Sequence, residues 1–129
     1  MEIKTHLLAY PSLLGTPLEV LDDESATVQL AVTENMIVDD EGLVHGGFTF
    51  GLADYAAMLA VNDPNVVIGG ANVRFTAPVQ RGDIMAAVAN VVDKVRNKRI
   101  VKVDVKVDER TVLSGELTCY VLEKHVLNP

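Results

Sequence analysis

The sequence contains no tryptophan, and aromatic residues make up only 5% of it, so an aliphatic core is expected. A single cysteine, Cys119, excludes an internal disulfide bond. No run of about 18 apolar residues occurs, which predicts that no segment crosses a membrane. The N-terminal residues lack the basic and apolar regions of a secretory signal. Together these absences predict a cytoplasmic protein.

Positive charge is scarce overall, because 18 acidic residues outnumber 11 basic ones and the formal net charge is −7. This balance argues against nucleic acid as a partner. Five of the basic residues nevertheless fall between positions 94 and 102, namely Lys94, Arg96, Lys98, Arg99 and Lys102. Two interpretations of this basic run remain open: a solvated hairpin tip, or a binding site for an anion that carries phosphates.

A hydrophobic fraction of 49% argues against disorder and predicts one folded domain over residues 1–129. Period-two patterns predict six strands, at 16–22, 26–33, 66–77, 83–95, 99–107 and 111–123. A nearly all-apolar stretch predicts a long helix over residues 47–62. The order of two strands, one helix and then four strands in a meander predicts an α+β fold. In this fold an antiparallel sheet curls around one central helix.

One residue does not suit the predicted helix. Asp54 is the only charged residue between Gly47 and Asn62. Aspartate is a poor helix former in interior positions, and Asp54 lies too far from the helix start to act as an N-cap. An unpaired carboxylate in a buried helix is costly or has a shifted pKa. A catalytic role is one explanation; a hydrogen bond to a neighbouring strand or subunit is the other.

Two glycines mark the start of the helix and suggest a chemical partner for Asp54. The backbone N–H groups of Gly46 and Gly47 lack intrahelical acceptors there, and the helix dipole favours negative charge at this end. Such amides can stabilise a carbonyl oxygen as it becomes an oxyanion. Asp54 could then attack the same carbonyl carbon, or deprotonate a water that does. The alternative is that the glycines only permit tight packing of the helix on the sheet.

The residues His45-Gly46-Gly47, followed by Leu52-Ala53-Asp54, resemble the signature of hotdog-fold acyl-CoA thioesterases of the PaaI-like group. The stretch 72–83, which reads Asn-Val-Arg-Phe-Thr-Ala-Pro-Val-Gln-Arg-Gly-Asp, is similar to the strand after the helix in that family. The likeness covers roughly residues 14–122. It implies a hotdog fold, in which an antiparallel sheet wraps around one long central helix.

The resemblance also implies an activity, which is hydrolysis of an acyl-CoA thioester without a metal or redox cofactor, coenzyme A being part of the substrate. Asp54 would be the nucleophile or general base, the Gly46 or Gly47 amide would polarise the carbonyl, and His45 would lie beside the site. The unit would be a homodimer, often paired again into a homotetramer, with the site at the subunit interface. Further substrate contacts are expected from Asp39, Met58, Asn72, Arg81, Arg96, Lys98 and Arg99.

The sequence departs from the family pattern at two positions. Asp39 stands six residues before His45, where many relatives carry an asparagine. The start of the strand after the helix, residues 68–71, has no hydroxyl, although relatives tend to have a Ser or Thr there. In this chain Thr49, Asn62 or Asn72 could replace that hydroxyl.

Two other functions remain open on the sequence. The first is a non-catalytic acyl-CoA-binding hotdog domain, as in transcription regulators that sense malonyl-CoA. Asp54 and the lack of a DNA-binding segment in the 129 residues argue against it. The second is a hotdog hydratase, which would pair a catalytic histidine with the acidic residue.

His6, His45 and His125 show no metal-ligand spacing, and His6 and His125 are expected at the surface.

Overall fold

The computed structural model describes residues 1–129. Two α-helices are present, α1 over Pro11–Leu14 and α2 over Gly46–Val61, with a short 3-10 turn at Glu34–Met36. The strands are β1 Thr16–Leu21, β2 Ser25–Ala31, β3 Val66–Phe75, β4 Ile84–Val95, β5 Lys98–Val107 and β6 Arg110–Val121. All six predicted strands and the long helix are confirmed, with boundaries that differ by a few residues. Helix α1 was not predicted, because its four residues show no periodicity.

The strands form one six-stranded antiparallel sheet in the order β1-β2-β4-β5-β6-β3. The predicted meander of the last four strands is therefore wrong for β3, which pairs with β6 rather than with β4. Strand β4 instead lies between β2 and β5. The connection over residues 76–83 carries the chain from one edge of the sheet into its interior. Alternation predicts that a segment is a strand, but it does not say which neighbour the strand pairs with.

Helix α2 lies in the concave side of this sheet, and its residues from Leu52 onward are buried with the exception of Asp54. On β5 the predicted alternation is confirmed, since Val101, Val103, Val105 and Val107 are buried beneath the helix. The helix has no polar face because the sheet curls around it. This architecture confirms the predicted hotdog fold. No helix is both long enough and apolar enough to span a bilayer.

The two ends of α2 are capped in different ways. At the start, His45 is the N-cap, and its Nδ1 accepts a hydrogen bond from the Gly47 N–H at 2.8 Å. At the end, Asn62 adopts the left-handed conformation (φ 54°), which terminates the helix before Asp63. Asparagine is one of the few residues other than glycine that commonly adopts this conformation.

Strand β3 is a long edge strand with one unpaired side. It bonds only to β6, and most of its residues from Gly69 to Phe75 are exposed. Ten residues of free strand edge are a template for pairing with another chain. This edge also runs past the helix, because Val66–Ile68 lie beside Asp54 and Phe75 lies beside Gly46.

Candidate active site

Asp54 opens onto the largest groove in the structure, which has a volume of about 440 Å³. The groove lies between the middle of α2, the start of β3 and both terminal segments of the chain. Its lining includes Thr5, His6, Asp54, Met58, Ile68 and His125. A groove of this size is within the range of small-molecule sites. The structure therefore places the anomalous helix carboxylate at a surface that a ligand can reach.

The carboxylate of Asp54 has no hydrogen-bond donor within the chain, either from a side chain or from the backbone. The residue is half-buried, and burial raises the pKa of its carboxyl above the ordinary value. Cys119 of β6 lies close enough to respond to this charge: burial and the Asp54 carboxylate raise the pKa of its thiol to about 12. Asp54 is therefore partly desolvated and has no hydrogen-bond partner within the chain, and Cys119 is a buried thiol.

The two glycines at the helix start have different roles in the structure. The Gly47 N–H is used, because it donates to His45 Nδ1. A Cβ at position 47 would lie only 2.8 Å from that nitrogen, so the cap requires glycine there. The Gly46 N–H has no acceptor in the chain. Of the two amides expected to polarise a carbonyl, Gly46 is the one left free.

Asp54 and Gly46 do not face one groove within a single chain. Eight residues of helix separate them, which corresponds to about 12 Å along the axis. None of His45, Gly46 and Gly47 lines the Asp54 groove. One chain therefore presents an acid at one place and a free amide at another, with β3 running between the two.

Two other expected substrate residues, Asp39 in the loop before α2 and Arg81 in the connection between β3 and β4, already have partners in the chain. Asp39 Oδ1 accepts hydrogen bonds from the Glu41 and Leu43 N–H groups, both at 3.0 Å. The Arg81 side chain forms an ion pair with Glu34 at 2.9 Å. Both side chains are exposed. In this structure Asp39 shapes its own loop, as an asparagine or aspartate commonly does.

The basic run forms the tip of the β4–β5 hairpin, which turns at Arg96 with a left-handed backbone (φ 58°). Asp23 pairs with Lys94 at 3.2 Å and with Arg99 at 3.0 Å. Lys102 pairs with Asp104. Arg96 and Lys98 have no carboxylate partner, so they are the cations of the run that remain available to a ligand.

The remaining expected residues are divided between the groove and its surroundings. Met58 lines the groove one turn beyond Asp54. Thr49 is buried and donates to Met85 Sδ, and Asn62 bonds the N-terminal segment. Neither is free to replace the missing hydroxyl. Asn72 is exposed on the free edge of β3.

Sequence reasoning missed the residues that the chain termini contribute to the groove. Thr5 and His6 from the N-terminal segment, together with His125 from the C-terminal segment, line it beside Asp54. Both histidines are exposed, as expected, but neither was predicted to be near Asp54. No periodicity marks these short segments. The only sequence signal was the presence of two histidines outside the predicted strands and helix.

Comparison with known proteins identifies the class. Residues 41–114 match the family profile described as the thioesterase superfamily. The match begins in the loop before α2 and includes Gly46, Asp54 and most of the sheet. The chain belongs to the thioesterase superfamily.

Two solved structures carry this fold. An uncharacterized protein from Pyrococcus horikoshii superposes with a TM-score of 0.97 at 52% identity, covering 99% of this chain and 98% of the other. A mutant of the phenylacetic acid degradation protein PaaI from Thermus thermophilus has a TM-score of 0.77 at 27% identity, with 87% and 97% coverage. These likenesses confirm the predicted PaaI-like hotdog family.

Curated relatives carry other names. The chain is 47% identical over 116 residues to methylthioribose-1-phosphate isomerase from Aquifex aeolicus, a match that spans 90% of this chain. It is 33% identical over 95 residues, or 74% of its length, to transcription factor FapR from Caldanaerobacter subterraneus. The chain spans only 25% of the first protein and 48% of the second.

Proposed function

We propose that the chain is an acyl-CoA thioesterase that hydrolyses the thioester to a free acid and coenzyme A. The observation that carries this proposal is the Asp54 carboxylate, which faces a ligand-sized groove without any partner in the chain. A partly desolvated carboxylate with a raised pKa is a stronger base than an ordinary aspartate. Membership of the thioesterase superfamily supports thioester hydrolysis as its chemistry.

The complete site is formed between two copies of the chain. The start of β3 borders the Asp54 groove, and its end, at Phe75, lies beside Gly46. Antiparallel pairing of two β3 edges sets the start of one strand beside the end of the other. Asp54 of one protomer is then close to the Gly46 amide of its partner. A homodimer joined at this edge brings together the two groups that one helix keeps about 12 Å apart. Pairing of dimers into a tetramer stays a prediction.

In this composite site the thioester carbonyl oxygen accepts a hydrogen bond from the Gly46 N–H, at the positive end of the helix dipole. Two routes are open from there. Asp54 takes a proton from a water whose oxygen bonds to the carbonyl carbon, or the Asp54 oxygen bonds to that carbon directly and water later hydrolyses the anhydride. In both routes the C–S bond breaks, the electron pair leaves on sulfur and the thiolate is then protonated. Neither route needs a metal or redox cofactor.

The coenzyme A part of the substrate is placed along the β4–β5 hairpin. Lys98 is paired in register with Tyr120 on β6, and Tyr120 is paired with Val67 at the start of β3. The hairpin tip is therefore two strands, or about 10 Å, from the strand that borders the groove. Arg96 and Lys98 lack carboxylate partners and supply the phosphate contacts. Arg99 and Arg81 are held in ion pairs and support their surroundings instead.

The proposal is tested by a thiol-release screen over short, medium, long-chain and aromatic acyl-CoAs, with wild type and Asp54→Asn side by side. The amide keeps the shape of the carboxylate and removes the base, so turnover should fall by roughly 10²–10⁴-fold. If Asp54→Asn turned over acyl-CoA at a rate within a few-fold of wild type, the proposed role of Asp54 would be wrong. The preferred acyl group is read from the same screen, and comparison with the same acyl group on acyl carrier protein decides the carrier.

A non-catalytic acyl-CoA-binding domain is the second candidate. One observation favours it: this chain aligns with about half the length of transcription factor FapR. Calorimetry with the same panel separates the two candidates. Tight binding of an acyl-CoA without any release of thiol would favour the binding domain and exclude the hydrolase.

A further inference from the structure

We propose that His6 is a substrate-side residue of the Asp54 groove, where its imidazole positions the water that hydrolyses the thioester. This inference rests on the proposed thioesterase function. It assigns a role to the N-terminal segment, residues 2–6, which lies outside the region that matches the superfamily profile.

The N-terminal segment is fastened to the end of α2 by specific hydrogen bonds. The Asn62 side chain accepts from the Lys4 N–H at 2.9 Å and donates to the Glu2 carbonyl at 2.8 Å. The same Asn62 amide group donates to Asp22 at 2.6 Å, and Asp22 pairs with the Lys4 ammonium. Asn62 itself is only 3% exposed. Because these bonds fix residues 2–4, they also fix the residues that follow along the groove wall.

His6 is held in place from three directions. Its Nδ1 is 2.7 Å from the hydroxyl of Thr5, which is itself buried. Its ring lies 6.3 Å from the ring of Tyr55, the residue next to Asp54. Its backbone adopts the left-handed conformation (φ 54°), and its carbonyl accepts from the Ala9 N–H at 3.0 Å. A left-handed backbone at a residue other than glycine is uncommon, so this position is set by its surroundings.

One nitrogen of this fixed ring remains without a partner. Nδ1 is satisfied by Thr5, whereas Nε2 has no hydrogen bond within the chain. Both the Asp54 carboxylate and the His6 Nε2 are thus polar groups of the groove lining that lack a partner within the chain. One water beside Asp54, which hydrolysis requires, would give both groups a partner.

The role suits a neutral imidazole in either tautomer. Partial burial of the ring lowers the pKa of His6, which favours the uncharged form. Its Nε2 can accept a hydrogen bond from the water or donate one to it. The proton of the water goes to Asp54, the water oxygen bonds to the acyl carbon, and sulfur leaves with the electron pair of the C–S bond. His6 gains and loses no proton in this step; it fixes the direction of the attacking oxygen.

Two substitutions separate this role from a structural one. In His6→Gln the amide nitrogen reaches the place of Nε2, and in His6→Asn the left-handed backbone is well tolerated but the side chain stops at the level of Nδ1. We expect kcat to fall at least 10-fold in His6→Asn, with KM changed less than threefold, and to be restored to within about threefold of wild type in His6→Gln. Glu2→Gln is the matched control, because Asn62 bonds only its backbone, and kcat should stay unchanged. Equal kcat for His6→Asn and wild type, at equal melting temperature, would overturn the proposal.

A second measurement does not depend on turnover. The chain has three histidines, so imidazole NMR spectra contain three sets of signals, each assigned by one substitution. Addition of hexanoyl-CoA to Asp54→Asn should shift the His6 signals. If wild type hydrolyses no acyl-CoA but the His6 signals shift, the thioesterase proposal fails while His6 remains a ligand contact. If the His6 signals did not shift at saturating hexanoyl-CoA, His6 would not be part of the site.

Discussion

The two ends of helix α2 differ in how completely the chain satisfies their polar groups. At the end, Asn62 closes the helix and forms three side-chain hydrogen bonds, to Lys4, Glu2 and Asp22. At the start, His45 caps Gly47 while the Gly46 N–H stays free, and Asp54 farther along also lacks a partner. The chain therefore satisfies the polar groups at the end of the helix, whereas it leaves the Gly46 amide and the partly exposed Asp54 carboxylate without a partner.

Among substitutions at the two ends of the helix, the largest expected effect comes from removing the free amide at its start. Proline is tolerated at the first helical position and has no N–H, and His45 already has the extended backbone (ψ 133°) that precedes proline. We expect Gly46→Pro to lose about 10²–10³-fold in kcat with acyl-CoA. Gly46→Ala keeps the N–H and brings a Cβ to 3.4 Å from the exposed Phe75 ring, so it should lose far less. If both variants lost the same activity, the amide would have no special role.

Substitutions of Asn62, which satisfies the polar groups at the end of the helix, should instead change the free energy of unfolding. Asn62→Gly keeps the left-handed backbone and loses the side-chain bonds, so the free energy of unfolding should fall by about 1–3 kcal/mol. Asn62→Ala also strains that backbone, so its free energy of unfolding should be lower by about 1 kcal/mol more. Urea denaturation measures both. Equal stability of the two variants would show that the backbone conformation is not what Asn62 is required for.

A smaller effect is expected from the cap at the helix start. His45→Ala loses the acceptor for the Gly47 N–H, and the free energy of unfolding should fall by about 1 kcal/mol. Asparagine is among the preferred N-cap residues, so His45→Asn should retain most of the stability. Urea denaturation of wild type, His45→Ala and His45→Asn tests the capping role of His45. That role would be excluded if His45→Ala were as stable as wild type.

The smallest effect concerns Asp54 and stability rather than activity. Burial raises the pKa of Asp54 above 3.8, so just above that pH the folded chain holds a proton that the unfolded chain has released. The folded state therefore loses stability as pH rises through this range, and the loss is complete above the folded pKa. Asp54→Asn should melt at a higher temperature than wild type at pH 7, and this advantage should shrink at about pH 3. A gap that widened toward acid would contradict the raised pKa.

The sequence predicted the parts of the molecule that follow a period. The alternation of Val101, Val103, Val105 and Val107 correctly indicated a half-buried strand, and the apolar stretch around Asp54 correctly indicated an enclosed helix. The position of β3 at the sheet edge could not be predicted, because pairing depends on contacts between distant segments. The proposed composite site depends on that position, since it leaves one edge free beside both Asp54 and Gly46.

The candidate site was predictable only where a residue conflicts with its local structure. Asp54 violates helix preference, and it faces the largest groove. His45 and Gly47 have no such conflict, and the hydrogen bond between them emerges only from the cap geometry. Thr5, His6 and His125 lie in short terminal segments whose packing depends on single contacts such as those of Asn62. The roles of the predicted site residues in turnover stay predictions until the variants are measured.

Because Thr5 and His6 at one terminus and His125 at the other border the same groove, any polypeptide joined to either end begins within a few residues of its mouth. An affinity tag or fusion partner is then not a neutral addition, since its first residues lie beside the entrance that a ligand of the groove would use.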